Sequence, residues 1–491
     1  MEQYLLGIDV GTTGTKTLLF SVSGKLLGHA YRAYGMSTPQ VSYNEQNPQD
    51  WWDAVCQTVR EVCSDQAIAQ NVAAISLSLQ GGTIVAVDKD FQPLRPAMVW
   101  SDNRCTAQKE AFLREVGPAS TMYQKTGYRL DNGLPALEIR WMQDNEPELF
   151  QKAAMFLSVP DYISWKMTGI AAVDPSDAGI NQLCDIRAGK YDPELLRFAG
   201  IKEEQLAPIV PSGEVIGPLT EEAAQALGLT TKTILVAGAH DQYAVALGAG
   251  ATDAGCFSIG SGTSWVITAI SDEPDFSSGL SQAIAALPGK WGSLLSLSSG
   301  GVCMEWLRQI TSGDQKPSYD EINQKVSQRR AAEDGLFFFP FSGKAGPSER
   351  FQKGTFVGMD LSHDPYHLFR AVMEGVAFQT VWMMESFRTR PVEGGIIFSG
   401  GGSKSPVWTQ MVADIAGQPV RIPKVADLAC VGAAILAGVG CGLYKDAAEG
   451  HSKLAVGDRI LYPNPESVAR YRRLYESYKK IAAALLPAYK Q

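Results

Sequence analysis

The first apolar run, YLLGIDV at residues 4–10, is followed by a small polar stretch, GTTGT, and a second apolar run, KTLLFSV, at 16–22. Two such runs joined by a short Gly/Thr connection predict a β-hairpin. After SGK, LLGHAYRAY predicts a third strand. The period then changes. In NPQDWWDAVCQTVREVC the apolar positions 52, 55, 59 and 62 recur at helical spacing. Asn47 supplies an N-cap there, with Pro48 in the first turn and Asp50 close behind. VAAISLSLQGGTIVAVDKDFQPL (72–94) reads strand, glycine turn, strand, turn. Helical patterns dominate from about 106 to 170, and LTEEAAQALGL then precedes a strand in KTILVAGAHD.

The second half repeats this grammar. GCFSIGSGTSWVITAI (255–270) is again strand, Gly/Ser/Thr turn and strand, an internal echo of residues 4–22. A second β-rich block predicts two similar lobes with a boundary near 243–255. GGIIFSGGGSKSP (394–406) is a strand and glycine turn running into the helix VWTQMVADIAG. ACVGAAILAGVGCGL (429–443) is short for a membrane span and reads as a buried helix. The tail NPESVARYRRLYESYKKIAAALL reads as an amphipathic helix, and Trp51, Trp52 and the tail tyrosines as packing residues.

Composition narrows the function. A chain of 491 residues has room for two or three domains. The net charge of −9 argues against nucleic acid, which would need a basic face. Eight cysteines form no CxxC pair, so neither a zinc site nor a thioredoxin-type motif is written, and reduced buried thiols are expected. His363 and His367 are four apart, but Pro365 between them argues against a zinc pair on a helix. MEQYLLGIDV has neither the basic head nor the apolar stretch of a secretory signal. A cytoplasmic protein with no membrane partner is the expectation.

Three glycine-rich turns, at 11–14, 260–263 and 400–402, are each entered from a strand. The first is not a P-loop, because Thr15 rather than Gly precedes Lys16; nor is it a dinucleotide fingerprint, because a strand follows. What it offers is backbone N–H groups, the hydroxyls of Thr12, Thr13 and Thr15, and the Lys16 cation, a set suited to an anion. Asp9, on the strand leading in, would repel bare phosphate but suits a Mg²⁺ ion bridging phosphates. One such turn is as readily a tight hairpin and nothing more. Three of them suggest a triphosphate gripped from two sides.

With those turns in place the chain resembles the FGGY carbohydrate kinases, a branch of the actin-like ATPase folds. GIDVGTTGTK resembles the first phosphate motif of that family, GSGTS the second, and FSGGGSKSPVWTQMVADIAGQPV the adenosine motif, followed by the helix ACVGAAILAG. GAHDQYAVALGAG is similar to the segment that carries the catalytic base. GLPALEIRWMQDN (133–145) matches the first family signature except that Glu138 stands where Lys is usual, and RAVMEGVAF (370–378) resembles the second. The likeness runs from residue 4 to about 480. It implies an α/β fold of two actin-like, ribonuclease H-like lobes, 1–244 and 245–491, with a nucleotide cleft between them that closes to exclude water.

The resemblance also implies roles. Asp241 would be the catalytic base, with Gln242 beside it bonding substrate hydroxyls and His240 standing behind the chemistry. Gly11, Thr12, Thr13 and Lys16 would meet the β- and γ-phosphates of ATP, with Asp9 at Mg²⁺ through water. Gly262 and Thr263 would meet the phosphates from the second lobe, and Gly301, Glu305, Gly401 and Ser405 would line the nucleoside side.

The sugar pocket departs from the pattern. Glycerol kinases carry Arg-Glu after the Gln of SLQGGT, and xylulose kinases Met-His-Gly; here Gly81 and Gly82 follow Gln80. The glycines either leave extra room or let backbone approach the substrate, while Gln80 and Thr83 can still bond hydroxyls. Trp100, in VWSDNR, would pack on the carbon face of a sugar; Asp102 and Arg104 read equally as contacts or as a structural ion pair. Asp177 falls on a pocket loop, and Trp265 is pocket wall or core. The reading is an ATP-dependent kinase of a small sugar, first a ketopentose such as xylulose. The alternatives are a kinase of another ketose or polyol (erythritol, ribulose or gluconate type), an actin-like ATPase without sugar transfer, and a silent sugar sensor. A homodimer is the assembly considered.

Overall fold

The opening hairpin forms as its pattern requires. Tyr4–Val10 pairs antiparallel with Gly14–Ser21, placing Asp9 opposite Lys16, and Gly14–Ser21 pairs in turn with Leu26–Ala33. These coordinates are a computed structural model, which describes residues 2–311, 316–329, 335–341, 353–455 and 457–489. The chain is mixed α/β and divides into two sheet-containing units. The first comprises residues 1–252, 271–293 and 427–456, the second 253–270, 294–426 and 457–491.

The main sheet of the first unit has the strand order Val215–Pro218, Ile234–His240, Val72–Leu79, Tyr4–Val10, Gly14–Ser21, Leu26–Ala33. Its three central strands are parallel, with Val10 and His240 both level with Leu79. Strands covered on both faces read as near-continuous apolar runs, which is why YLLGIDV and VAAISLSL carry little alternation. One face packs on the Pro48–Val62 helix, where Asn47 caps the first turn by accepting from the Gln49 N–H, and on Tyr162 and Ile163. The other receives the Leu428–Gly440 helix, which lies on Tyr4–Val10 and Val72–Leu79 and against the Asp241–Gly248 helix. That helix is apolar all round because it is buried all round.

SLQGGT does not fold back as a hairpin. Ile84–Val87 leaves the main sheet and pairs with Ala97–Met98 and with Met155–Ser158, a four-residue strand inside the stretch that reads as helical.

The second unit repeats the plan. Phe257–Ser261 pairs antiparallel with Trp265–Ser271 and parallel with Ile396–Gly400, which pairs onward with Val420–Ile422. The Pro365–Met384, Pro406–Ala416 and Pro465–Tyr489 helices pack together, burying Tyr471, Tyr475 and Tyr478. Among the described residues all eight cysteines are free thiols, six of them buried, and no helix is long and apolar enough to cross a membrane.

Candidate active site

Three parallel strands ending side by side set the candidate site of the first unit. Because Val10, Leu79 and His240 are in register, the next residues, Gly11, Gln80 and Asp241, emerge from adjacent strands, about 5 Å apart from one strand to the next. The carboxyl ends of parallel strands are where open α/β sheets bind ligands.

Asp241 opens the Asp241–Gly248 helix, with its side chain about one-third exposed. Two strands away, Asp9 accepts from Ser78 Oγ, on the strand between, at 2.9 Å. Burial, then the like charge of Asp241, lifts the Asp9 carboxyl to about 6, against the opposing effects of Ser78 and Lys16. Burial pushes Lys16 down, but Asp427, 3.1 Å from its ammonium, outweighs this and raises it. Asp427 is also 3.3 Å from His29.

The first glycine turn is pinned through side chains that motif reading missed. Gln46 donates from Nε2 to the Thr12 carbonyl at 2.6 Å, and its Oε1 accepts from Gln80 Nε2 at 2.9 Å and Trp51 Nε1 at 3.1 Å. One buried amide therefore joins the first glycine turn to the Gln80 segment. Trp100 is half exposed and donates from Nε1 to Thr12 Oγ1 at 3.0 Å, which ties the same turn to VWSDNR. The Thr13 carbonyl accepts from the Tyr31 hydroxyl at 3.2 Å, and the Gly11 carbonyl accepts from Tyr34. Gln80 Oε1 and Thr83 Oγ1 are buried without a partner.

The two glycines after Gln80 do not leave open space. A Cβ on Gly81 would lie 2.2 Å from His240 Cδ2, 2.8 Å from His240 Nε2 and 2.9 Å from Asp177 Oδ1. Gly82 has φ +67° and faces Leu134 and Trp100. Asp177 is fully buried; burial, then the neighbouring carboxyl of Asp174 and the charge of Asp241, pushes it well above the usual carboxylate range.

Asp102 and Arg104 form an ion pair. Arg104 donates to Asp102 at 2.7–3.0 Å and to Glu45 at 2.7 Å, and its guanidinium stacks 3.7 Å over the Tyr43 ring. Glu138 is buried nearby, and burial, then Asp102, pushes it well above its ordinary range despite Arg104 and Arg95.

In the second unit the parallel pair Phe257–Ser261 and Ile396–Gly400 ends with Ser261 level with Gly400, so Gly262, Thr263 and Gly401 emerge together. The Val302–Thr311 helix docks on that turn: Gly301 N–H donates to the Gly262 carbonyl and Val302 N–H to the Thr263 carbonyl, both at 3.1 Å. These residues line a cavity of about 700 Å³ together with Glu305, Ser405, Tyr319 and Asn323. All six residues expected on this side line it. Ser405 caps the Pro406–Ala416 helix by accepting from the Trp408 N–H at 3.1 Å and donates to Asn323 Oδ1 at 2.5 Å. Burial pushes Glu305 up, but Arg308 and Lys316 outweigh it and hold its carboxyl below the ordinary range. Trp265 is core, packed on Phe398 and Trp408.

No group of three or more His, Cys, Asp or Glu side chains able to hold a metal occurs among the described residues. A magnesium ion bound jointly by one carboxylate and substrate phosphates needs no such group, and Asp9, facing Asp241 with Lys16 already paired to Asp427, fits that mode.

Comparison with known proteins places most of the chain in one family. The FGGY family of carbohydrate kinases matches with its N-terminal domain at residues 4–248 and its C-terminal domain at 257–441. The xylulose kinase of Bacillus subtilis is 30% identical, covering 98% of this chain and 96% of its own. The gluconokinase of the same organism is 28% identical, covering 100% and 98%. Among solved structures, a xylulose kinase from Rhodospirillum rubrum superposes with a TM-score of 0.90 at 27% identity, covering both chains completely. The chain belongs to the FGGY family of carbohydrate kinases.

Proposed function

We propose that this kinase transfers the γ-phosphoryl group of ATP to a hydroxyl of an uncharged ketopentose such as xylulose, with Asp241 as general base. The observation that carries the reading is the register of three parallel strands, which sets Gly11–Thr13, Gln80–Thr83 and Asp241–Gln242 side by side. Phosphoryl transfer asks the protein mainly for alignment, charge neutralisation and a base at the attacking oxygen. Asp241 accepts the hydroxyl proton. Gln242, Gln80 and Thr83 bond the other hydroxyls, the last two with oxygens that now lack partners, and Trp100 covers the carbon face. Thr12, Thr13 and the backbone of Gly11 hold the phosphates with Lys16. Of the residues lining the cavity in the second unit, Gly262 and Thr263 meet the phosphates, and Gly301, Glu305, Gly401 and Ser405 take the nucleoside side. Mg²⁺, when bound at Asp9, would neutralise phosphate charge.

The choice of a neutral acceptor rests on charge. Asp9 and Asp241 face the site, Lys16 is paired with Asp427, and Arg104 is committed to Asp102 and Glu45. A sugar acid would bring a further negative charge to that end. The xylulose kinase relatives agree with this preference; the gluconokinase relative makes gluconate the acceptor to test against it. The experiment is ADP formation across ketoses, alditols and aldonates in a coupled assay. D-xylulose or a closely related ketose raising ADP production well above basal hydrolysis supports the reading. ADP production unchanged across the panel overturns it, and a clear gluconate preference overturns the neutral acceptor.

A further inference from the structure

The glycine at position 81 and the histidine at position 240 occupy one space. The ring of His240 fills the notch where a Gly81 side chain would stand, and its Nε2 shares that notch with Oδ1 of buried Asp177. Its backbone N–H donates to Ser176 Oγ at 3.0 Å, and its ring packs 5.7 Å from that of Tyr243. The groups facing the imidazole are therefore Asp177 and Ser176 from one helix, and Asp241, Gln242 and Tyr243 from the next. Nδ1 accepts from the Gln242 N–H at 3.4 Å, which leaves the ring proton on Nε2. The same Nδ1 lies 3.4 Å from Asp241 Oδ1.

The Nδ1 lone pair, engaged only by the long 3.4 Å contact from the Gln242 N–H, offers nothing to an ionised carboxylate. It offers a hydrogen bond to a carboxyl that has just gained a proton. We propose that His240 is a positioning residue for the transfer step. Held in the notch left by Gly81, its Nδ1 exchanges the long contact from the Gln242 N–H for a hydrogen bond from Asp241 as the sugar O–H bond breaks and the Asp241 O–H bond forms. Such a contact exists only once the proton moves, so it lowers the barrier without tightening substrate binding. Gly81 is then required for the chemistry, because any side chain there displaces the ring. The inference rests on Asp241 being the base.

The test compares variants with the panel acceptor of highest kcat/KM, each checked for a native melting transition. His240→Ala is expected to lower kcat on the order of 10²-fold, with KM for ATP within about twofold. His240→Asn, which places an amide oxygen near Nδ1, restores most of that loss; His240→Gln, which mimics Nε2, does not. Gly81→Ala reproduces the loss, and Gly81→Ala with His240→Ala is no slower than His240→Ala alone. If Gly81→Ala does not fold, the Ala, Asn and Gln variants at 240 decide. Normal kcat in His240→Ala, or equal losses in the Ala and Asn variants, overturns the positioning role while an inactive Asp241→Asn leaves the base intact. Near-normal turnover in Asp241→Asn removes the base and this inference with it.

Discussion

Asp241 differs from the many aspartates that open helices in what surrounds it: a second carboxylate, Asp9, across one strand, and an imidazole 3.4 Å away. Asp241→Asn should keep ATP binding and lose phosphorylation by two to four orders of magnitude, about the range for removing a general base; calorimetric titration with ATP beside steady-state kinetics separates the two effects. Trp100 makes a different prediction. Its ring is half exposed and tied to Thr12 only through Nε1, so Trp100→Ala should raise sugar KM about tenfold, as the loss of one aromatic face would, and ATP KM far less. Equal changes in both constants would take Trp100 out of the sugar pocket. Some residues were legible and others were not. Asp241 and the glycine turns stand in recognisable strings, and a turn's chemistry is local. Gln46 sits in YNEQNPQ with nothing to distinguish it, and its importance comes from two hydrogen bonds to segments far away in sequence, at Thr12 and Gln80. The filling of the Gly81 notch was equally invisible, because the ring that fills it comes from a strand about 160 residues further on.

Among the elements, hairpins and capped helices were readable because their determinants are contiguous: Asn47, Pro48 and the apolar positions 52, 55, 59 and 62 lie in one helix. Met155–Ser158 was not, since three apolar residues and a serine amid helices carry no period of their own. The Leu428–Gly440 helix shows the other limit. Its uniform apolarity announces burial but gives no direction, and nothing in it says that it packs with the first unit. The structure does: a Cβ on Gly432 would lie 2.0 Å from the Ala244 carbonyl oxygen, and one on Gly248 2.0 Å from that of Leu428. Two backbones meet there with no room for a methyl group. Gly432→Ala should therefore cost about 1–3 kcal/mol, the usual range for overpacking, measured by denaturant unfolding. It should also lower kcat, because the helix it displaces begins at Asp241. Wild-type stability and turnover would show that the contact yields freely.

For the whole molecule, the fold is one construction used twice: an antiparallel glycine hairpin beside a parallel neighbour, with the proposed ligand-binding residues at the strand ends. The echo between residues 4–22 and 255–270 made that duplication legible; the interleaving of residues 271–293 and 427–456 into the first unit was not, because it depends on tertiary packing alone. Stability should carry a pH signature from this burial. Asp161 is buried and its carboxyl is lifted to about 6 by burial, partly offset by the hydroxyl and backbone of Ser158. A carboxyl raised in the folded state stabilises fully below its unfolded value, near 4, and that contribution is lost as pH rises through 6. The loss is on the order of 3 kcal/mol. Asp161→Asn should flatten the fall in stability between pH 4 and 6.5, and an unchanged slope in urea unfolding would contradict this. The central claim, that the strand-end carboxylate of the first unit moves phosphate from nucleotide to sugar, is met most directly by following γ-³²P-labelled ATP with D-xylulose. The account predicts label in a sugar phosphate for the parent chain and almost none for Asp241→Asn. Label released only as inorganic phosphate, at the same rate with or without sugar, would contradict it.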